Sequence, residues 1–271
     1  MKISLLGCGW LGTALLKPFS KEGHDVIVST RSEIKKFQFQ QQGTPAVVLN
    51  LPDCSPHLIP SFWESDVMII TVPFKRSFSD PTLYKTQIES IMPELKKHRY
   101  QKIIFTSSTS VYPLTDGDVD ENTPIDVNNP RSKVLSEVEQ LILSCPASLV
   151  LRFGGLFGPN REPNLFLKQA HQLDYGMSPV NLIHLEDCVA IITKLINSSL
   201  EDSIYNVVAT KHPTKKEFYN HILKYYDLPI LSFKDNKKKY KIVSNFKLLK
   251  DLKYQFRYPD PRDAYDITKK S

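Results

Sequence analysis

The sequence predicts a doubly wound α/β fold, in which helices cover both faces of a parallel sheet. Short apolar runs alternate with helical patterns or long loops as far as residue 151. The runs are uniformly apolar, which is typical of parallel strands buried on both faces. In addition, the first run stops at a glycine-rich loop that leads directly into a helical pattern. We therefore predict this sheet together with a smaller C-terminal lobe.

The individual elements follow from the apolar pattern and from residues that end helices. Strands are predicted at residues 1–6, 26–30, 46–49, 66–72, 102–105 and 148–151. Helices are predicted at residues 10–21, 33–42, 81–97 and 133–144. The first helix ends at Gly23, and its apolar face consists of Leu11, Ala14, Leu15 and Phe19.

The loop at residues 7–12 reads Gly-Cys-Gly-Trp-Leu-Gly, a Gly-x-Gly-x-x-Gly pattern between a strand and a helix. Such a loop binds the pyrophosphate of a dinucleotide at the start of the helix. Gly7 allows the tight turn, Gly9 lets the main chain approach the phosphates, and Gly12 lets the helix pack closely on the strand. The candidate cofactor contacts in this loop are Gly7, Gly9, Trp10, Leu11 and Gly12.

The end of the second strand indicates which dinucleotide binds. In this fold, a group about 20 residues past the loop reads the adenosine ribose. Thr30, Arg31 and Ser32 stand there, without an Asp or Glu. A carboxylate would repel a 2′-phosphate, whereas Arg31 between two hydroxyl residues favours it. We predict NADP(H) as the cofactor, with NAD(H) as the alternative, in which Arg31 is a solvated arginine at a helix start.

The segment after the fourth strand provides a second set of candidate contacts. The carboxyl ends of the strands face the ligand crevice in a doubly wound sheet. Thr71, Val72, Pro73 and Phe74 are therefore predicted to line the cofactor. The alternative is a strand that simply leads into a proline-containing loop.

Composition and charge are those of a soluble globular protein. The 271 residues are 41% hydrophobic and 24% charged, and no apolar segment is long enough to span a membrane, so a cytoplasmic protein is expected. The four cysteines are scattered without zinc-site spacing, and no metal is predicted. The net charge is +6, with a basic run at residues 237–241. Because this run lacks a recognition motif, a solvated face is favoured over nucleic-acid binding.

After about Gly158 the predicted segments are shorter, and prolines separate them. We predict a dinucleotide-binding domain at residues 1–158 and a smaller, partly interleaved substrate lobe at residues 159–271. Later elements of the first domain are expected near residues 180–210.

Four further segments carry a resemblance to a known family. They read Ile-Ile-Phe-Thr-Ser-Ser-Thr-Ser-Val-Tyr-Pro at 103–113, Leu-Arg-Phe-Gly-Gly-Leu-Phe-Gly-Pro at 151–159, Leu-Ile-His-Leu-Glu-Asp-Cys-Val-Ala at 182–190 and Tyr-Asn-Val-Val at 205–208. In this order they resemble the extended and atypical short-chain dehydrogenase/reductases, the NAD-dependent epimerase/dehydratase group. The resemblance implies a Rossmann-type fold, and cofactor contacts at Ser107, Phe153, Gly154 and Gly155.

The chemistry of this family uses a Ser or Thr and a Tyr-x-x-x-Lys pair. By position, the resemblance places the serine role on Ser108 and the lysine role on Lys133, which also holds the nicotinamide ribose. In the family pattern the lysine ammonium favours the tyrosinate, so that the tyrosine can act as a base. Asn129, however, stands four residues before Lys133, and an asparagine does not titrate in this range. The usual proton relay is therefore absent.

Three interpretations of the missing tyrosine remain open. Tyr112 acts as the acid from another direction, with packing as its alternative role. Or hydride transfer uses Ser108 and water on a substrate that needs no strong base. Or the protein binds NADP(H) without turnover, as a sensor or interaction partner. His184 is expected to bond locally at a helix start.

We predict an oxidoreductase or epimerase-like protein that acts on a carbonyl or hydroxyl group of a small metabolite, sugar-like compounds included. The alternative is a noncatalytic NADP(H)-binding protein. No membrane or nucleic-acid partner is expected, and a homodimer is one candidate for the oligomeric state.

Overall fold

The computed structural model describes residues 1–53, 56–75, 79–167, 172–199, 203–234 and 239–266. Cys54 and two lysines of the predicted basic run, Lys237 and Lys238, lie outside these residues. Within these ranges, no helix is both long and apolar enough to cross a membrane.

The described strands form one central sheet and three short parallel pairs. Their bounds are β1 (Lys2–Leu6), β2 (Asp25–Thr30), β3 (Ala46–Val48), β4 (Val67–Ile70), β5 (Lys102–Ser108), β6 (Gly117–Val119), β7 (Ser148–Phe153), β8 (Gly155–Phe157), β9 (Gln172–Leu173), β10 (Leu182–His184), β11 (Ile204–Val207), β12 (Ser232–Phe233) and β13 (Lys241–Val243). The central sheet has seven parallel strands in the order β11-β7-β5-β4-β1-β2-β3. The short pairs are β8 with β10, β9 with β12, and β6 with β13.

Helices occupy the connections between these strands. Their bounds are α1 (Trp10–Lys21), α2 (Glu33–Gln41), α3 (Pro60–Trp63), α4 (Thr82–Glu89), α5 (Met92–Lys97), α6 (Pro130–Leu143), α7 (Asn164–Leu167), α8 (Leu185–Ile196), α9 (Lys215–Tyr225) and α10 (Phe246–Leu252). Single turns of 3₁₀-helix lie at Pro56–Leu58, Thr109–Val111 and Pro261–Ala264.

The register of the sheet brings the carboxyl ends of its middle strands together. Ile3 of β1 lies opposite Val26 of β2 and Val67 of β4. Leu6, the last residue of β1, lies opposite Ile70, the last residue of β4. The glycine loop after β1 therefore stands beside the loop after β4, at the edge where a doubly wound sheet binds ligands.

The doubly wound α/β fold is confirmed. Two helices have boundaries that differ from the predicted ones, and nearby residues explain both differences. The helix predicted at 81–97 is two helices, because Pro93 lies in the first turn of α5 and cannot donate the hydrogen bond that would continue α4. Helix α6 begins at Pro130 instead of Lys133, since proline suits the first helical position and Asn129 caps it.

The chain divides into two compact units. The first unit comprises Met1–Val111, Ile125–Arg152 and Ile192–Ile204, and the second comprises Tyr112–Pro124, Phe153–Ile191 and Tyr205–Ser271. The sequence prediction placed the main boundary after Gly158 and expected later elements of the first domain near residues 180–210. The first unit does include Ile192–Ile204, but residues 112–124 depart from the prediction and belong to the second unit. Part of the reason is that the early strand β6 pairs with the late strand β13, so residues 112–124 join the second unit. The second unit has its own buried cluster, formed by Phe157, Val180, Phe218, Ile222 and Tyr265.

Candidate functional site

The glycine loop has the geometry that its residue pattern predicts. Gly7 has φ +90°, a conformation that favours glycine. A Cβ atom on Gly12 would lie 2.7 Å from the Leu5 side chain, so only glycine lets α1 pack this closely on β1. A Cβ atom on Gly9 would meet only the Gly7 carbonyl oxygen, at 3.9 Å. The space beside Gly9 is therefore open to a ligand.

Two neighbouring strands hold the loop in place. The Ser29 side chain of β2 accepts a hydrogen bond from the Gly7 amide at 2.8 Å, and the Ser29 carbonyl accepts one from the Cys8 amide at 2.8 Å. Thr71, just after β4, donates its hydroxyl to the Gly7 carbonyl at 2.7 Å. The sequence prediction missed Ser29, and it expected Thr71 to line the cofactor instead of holding the loop, because both contacts depend on strand pairing.

A cavity of about 250 Å³ opens beside this loop within the first unit. Its lining includes seven of the predicted cofactor contacts: Gly7, Gly9, Thr30, Arg31, Ser32, Val72 and Pro73. Five other predicted contacts do not line the cavity: Thr71, Trp10 and Phe74 adjoin lining residues in the chain, whereas Leu11 and Gly12 lie further along α1. The sequence prediction missed several lining residues, among them Lys35, Leu49, Leu51, Lys75 and Gln87.

The lining of the cavity carries positive charge. Arg31, Lys35 and Lys75 contribute to it, and its described lining residues include no Asp or Glu. Arg31 and Lys35 are both exposed. Cys8 also lines the cavity, but burial raises the pKa of its thiol to about 11, so the thiol is neutral near pH 7. The cavity therefore suits an anionic ligand.

The two serines at the end of β5 have different partners. Ser107 is buried and its hydroxyl donates to the Glu139 carboxylate at 2.5 Å. Ser108 is half-buried, and its Oγ accepts a hydrogen bond from the Ser110 amide at 3.1 Å. The Ser107 side chain is thus engaged with Glu139, and its cofactor contact stays a prediction. Ser108 keeps its own hydroxyl proton to donate.

A buried ion pair anchors Ser107. Glu139 of α6 is fully buried, and it receives hydrogen bonds from Nε and Nη2 of Arg152, the latter at 2.7 Å. Buried charges need such partners, because leaving either one alone in the interior is costly. The sequence prediction missed this pair, although a charged residue inside the apolar run of β7 was a usable signal.

The start of α6 lies beside the segment that follows Ser108. The Asn129 side chain accepts hydrogen bonds from the amides of Arg131 and Ser132, at 3.0 and 3.3 Å, and so caps the helix. The Ser132 hydroxyl donates to the Ser110 carbonyl at 2.8 Å. Lys133 is exposed. The structure therefore brings the Ser108 and Lys133 segments together, while the Asn129 amide is used for capping.

Tyr112 belongs to the second unit and is 2% exposed. Its hydroxyl donates to the Asn206 side chain at 2.8 Å, a buried contact within that unit. This contact supports the packing alternative, and we drop the predicted role of Tyr112 as an acid. His184 does bond locally, since its Nδ1 accepts from the Glu186 amide at 3.3 Å and burial lowers its pKa.

Phe153, Gly154 and Gly155 also lie in the second unit. The Gly154 amide donates to the Val207 carbonyl and the Gly155 amide to the Asn181 carbonyl, at 3.0 and 2.7 Å. A Cβ atom on Gly154 would lie 2.7 Å from the same Asn181 oxygen. Packing within the unit thus already explains both glycines, and their cofactor contacts stay predictions.

The chain is similar to known proteins in both sequence and fold. Protein YeeZ of Escherichia coli K12 is 32% identical over 269 residues, which cover 96% of this chain and 97% of YeeZ. No family model matches the chain. Among solved structures, WbmH of Bordetella bronchiseptica in complex with NAD⁺ has a TM-score of 0.80 at 14% identity, over 98% of this chain and 97% of WbmH. UDP-glucuronic acid 4-epimerase from Bacillus cereus in complex with NAD has a TM-score of 0.78 at 15% identity, over 98% and 95% of the two chains. The chain therefore belongs to the family of Protein YeeZ, and it has the Rossmann-type fold of these NAD-bound structures.

Proposed function

We propose that this chain is an NADP(H)-dependent oxidoreductase or epimerase-like enzyme that acts on a carbonyl or hydroxyl group of a small metabolite, sugar-like compounds included. The cavity beside the glycine loop is the observation that carries this proposal. It combines an open approach to the Gly9 main chain with cationic side chains and no described carboxylate.

The residues of the cavity fit a dinucleotide. The glycine loop and the start of α1 would hold the pyrophosphate, because the first amides of a helix attract anions. Leu49 and Leu51 line the cavity and provide apolar surface for a base. WbmH and the Bacillus cereus epimerase were solved with NAD bound, which supports a nicotinamide dinucleotide for this chain as well.

The charge of the cavity favours NADP(H) over NAD(H). A 2′-phosphate adds up to about two negative charges near neutral pH. Arg31 at the end of β2 and Lys35 in the first turn of α2 both line the cavity and are exposed. Arginine suits this role because its planar guanidinium can donate two hydrogen bonds to one phosphate.

Ser108 and Lys133 are the proposed active-site residues of the chain. A bound nicotinamide supplies or accepts the hydride. The Ser108 hydroxyl orients the substrate oxygen, and the Lys133 ammonium holds the nicotinamide ribose. Asn129 cannot exchange a proton and already caps α6. We therefore infer a substrate whose reaction needs no strong protein base.

A noncatalytic NADP(H)-binding protein is the second candidate. The observation that favours it is the same capping contact of Asn129, because the position of the family tyrosine carries no acid or base. This candidate keeps the cavity and its charge preference but assigns no turnover to Ser108.

Turnover measurements with NADPH and a panel of carbonyl and nucleotide-sugar compounds separate the two candidates. For an enzyme, Ser108→Ala should lower turnover by about 100-fold or more, the scale of losing a group that acts on the reacting oxygen. Tyr112→Phe should leave turnover nearly unchanged, since its hydroxyl bonds to Asn206. Tight NADPH binding without turnover on any compound would favour the noncatalytic protein, and loss of turnover in Tyr112→Phe would restore its role as the acid.

A further inference from the structure

The loop at residues 71–75 lines the cavity through Val72, Pro73 and Lys75. It follows the last residue of β4 and has no regular secondary structure. An irregular loop has no strand ladder or helix to define its shape, so side chains from neighbouring elements must do so. Two helices of the first unit supply them.

Helix α6 contacts the loop through Arg131. The Arg131 guanidinium carbon lies 4.1 Å from the centre of the Phe74 ring, a cation–π contact. The Nη2 atom of the same side chain donates to the Lys75 carbonyl at 2.8 Å. One side chain therefore holds two consecutive loop residues.

Helix α4 holds the same loop through Tyr84. The rings of Phe74 and Tyr84 are stacked, with centroids 4.7 Å apart and planes at 12°. The Tyr84 hydroxyl donates to the Val72 carbonyl at 2.9 Å, and Tyr84 is 1% exposed. Arg131, Phe74 and Tyr84 thus form a clamp that sets the main chain at Val72 and Lys75, two residues that line the cavity.

The position of Arg131 in α6 is unfavourable for the helix itself. Arg131 is in the first turn, where the partial positive charge of the helix end disfavours cations, and this turn contains no acidic residue. Alanine forms helices at least as well as arginine. Arg131 therefore does not favour the helix itself, and its contribution comes from its contacts with the loop.

We propose that Arg131 is a positioning residue for dinucleotide binding, and that it acts through Phe74 and the Lys75 carbonyl. The proposal rests on the proposed function, because the ligand of the cavity is the dinucleotide. Arg131 is not among the described residues that line the cavity. It holds the loop in the shape in which Val72, Pro73 and Lys75 face the ligand.

Calorimetric titration of the full chain with NADPH tests this role. Arg131→Ala should raise the Kd for NADPH about tenfold, the scale of one lost charged contact, while the melting temperature changes by less than about 3 °C. Arg131→Lys should bind with intermediate affinity, because a lysine keeps the cation over Phe74 without the planar fork. Arg99→Ala, at an exposed arginine outside the cavity, is the matched control and should bind like the unchanged chain.

A double-mutant cycle shows whether Arg131 acts through Phe74. Phe74→Leu should also weaken NADPH binding, and the double variant should be no weaker than the worse single variant, since both changes break one clamp. Additive losses would overturn the proposal. If Arg131→Ala fails to fold, the cycle is made with Arg131→Lys.

The outcomes separate this proposal from the proposed function. NADPH binding that is equally tight in the unchanged chain and in Arg131→Ala would overturn the positioning role and leave the proposed function standing. Absence of NADPH and NADH binding in the unchanged chain would overturn both. Hydrogen exchange of the free protein adds a ligand-independent readout, because Arg131→Ala should speed amide exchange at residues 71–75 and Arg99→Ala should not.

Discussion

Glu139 lies fully buried in the first unit, and its carboxylate accepts hydrogen bonds from two side chains. Arg152 donates to both of its oxygens, and Ser107 donates at 2.5 Å. This arrangement ties α6, β7 and the end of β5 together, directly before Ser108. The Glu139 carboxylate and its two partners thus help to position Ser108, the proposed active-site serine.

Removing the Glu139 carboxylate should be strongly destabilising. Glu139→Ala removes the buried carboxylate that pairs with the Arg152 guanidinium and should lower the free energy of unfolding by about 3–5 kcal/mol, measured by denaturant titration. Ser107→Ala removes one charge-assisted hydrogen bond and should cost about 1–3 kcal/mol. A loss under about 1 kcal/mol for Glu139→Ala would contradict the buried ion pair.

Sequence prediction at the residue scale succeeded where local conformation decides the residue. Gly7 and Gly12 were assigned from the turn and from close packing, and both have the geometry that requires glycine. Ser29 and Glu139 were missed, because their partners are far away in sequence. Tyr112 was placed near the chemistry by its neighbour Ser108, yet its hydroxyl bonds to Asn206 in the second unit.

Helix α6 and its cap contain several candidate residues of the first unit. Its cap is Asn129, four residues before Lys133, where the predicted resemblance expects a tyrosine. Arg131 and Lys133 follow in its first turns. The Ser132 hydroxyl joins this helix to the segment after β5. Sequence prediction found the helix but began it at Lys133, because it did not weigh Asn129 as a cap or Pro130 as a first helical residue.

The capping role of Asn129 predicts how substitutions act. Asn129→Ala removes an acceptor for two helix amides and should lower the free energy of unfolding by about 1 kcal/mol. Asn129→Asp keeps the acceptor and adds a negative charge at the helix start, so stability should be equal or higher. Thermal or denaturant unfolding of the two variants measures this difference. Equal stability of Asn129→Ala and the unchanged chain would contradict the cap.

For the molecule as a whole, the doubly wound fold was predictable, whereas the division into units was predicted only in part. Uniformly apolar runs identify buried parallel strands from local composition alone. The division depends on pairing between distant segments, such as β6 with β13, which no local pattern reports. The substrate could not be predicted from the sequence either, because the later part of the chain has no motif that specifies one.

The proposed preference of the cavity for NADP(H) can be measured directly. Calorimetric titration of the unchanged chain should show NADPH binding about tenfold or more tightly than NADH, a difference of about 1.4 kcal/mol. Arg31→Ala and Lys35→Ala should weaken NADPH binding and leave NADH binding nearly unchanged. Lys36→Ala is the matched control, because Lys36 bonds to Glu33 at 3.1 Å and does not line the cavity. Equal affinities of the unchanged chain for NADPH and NADH would contradict the proposed preference for NADP(H).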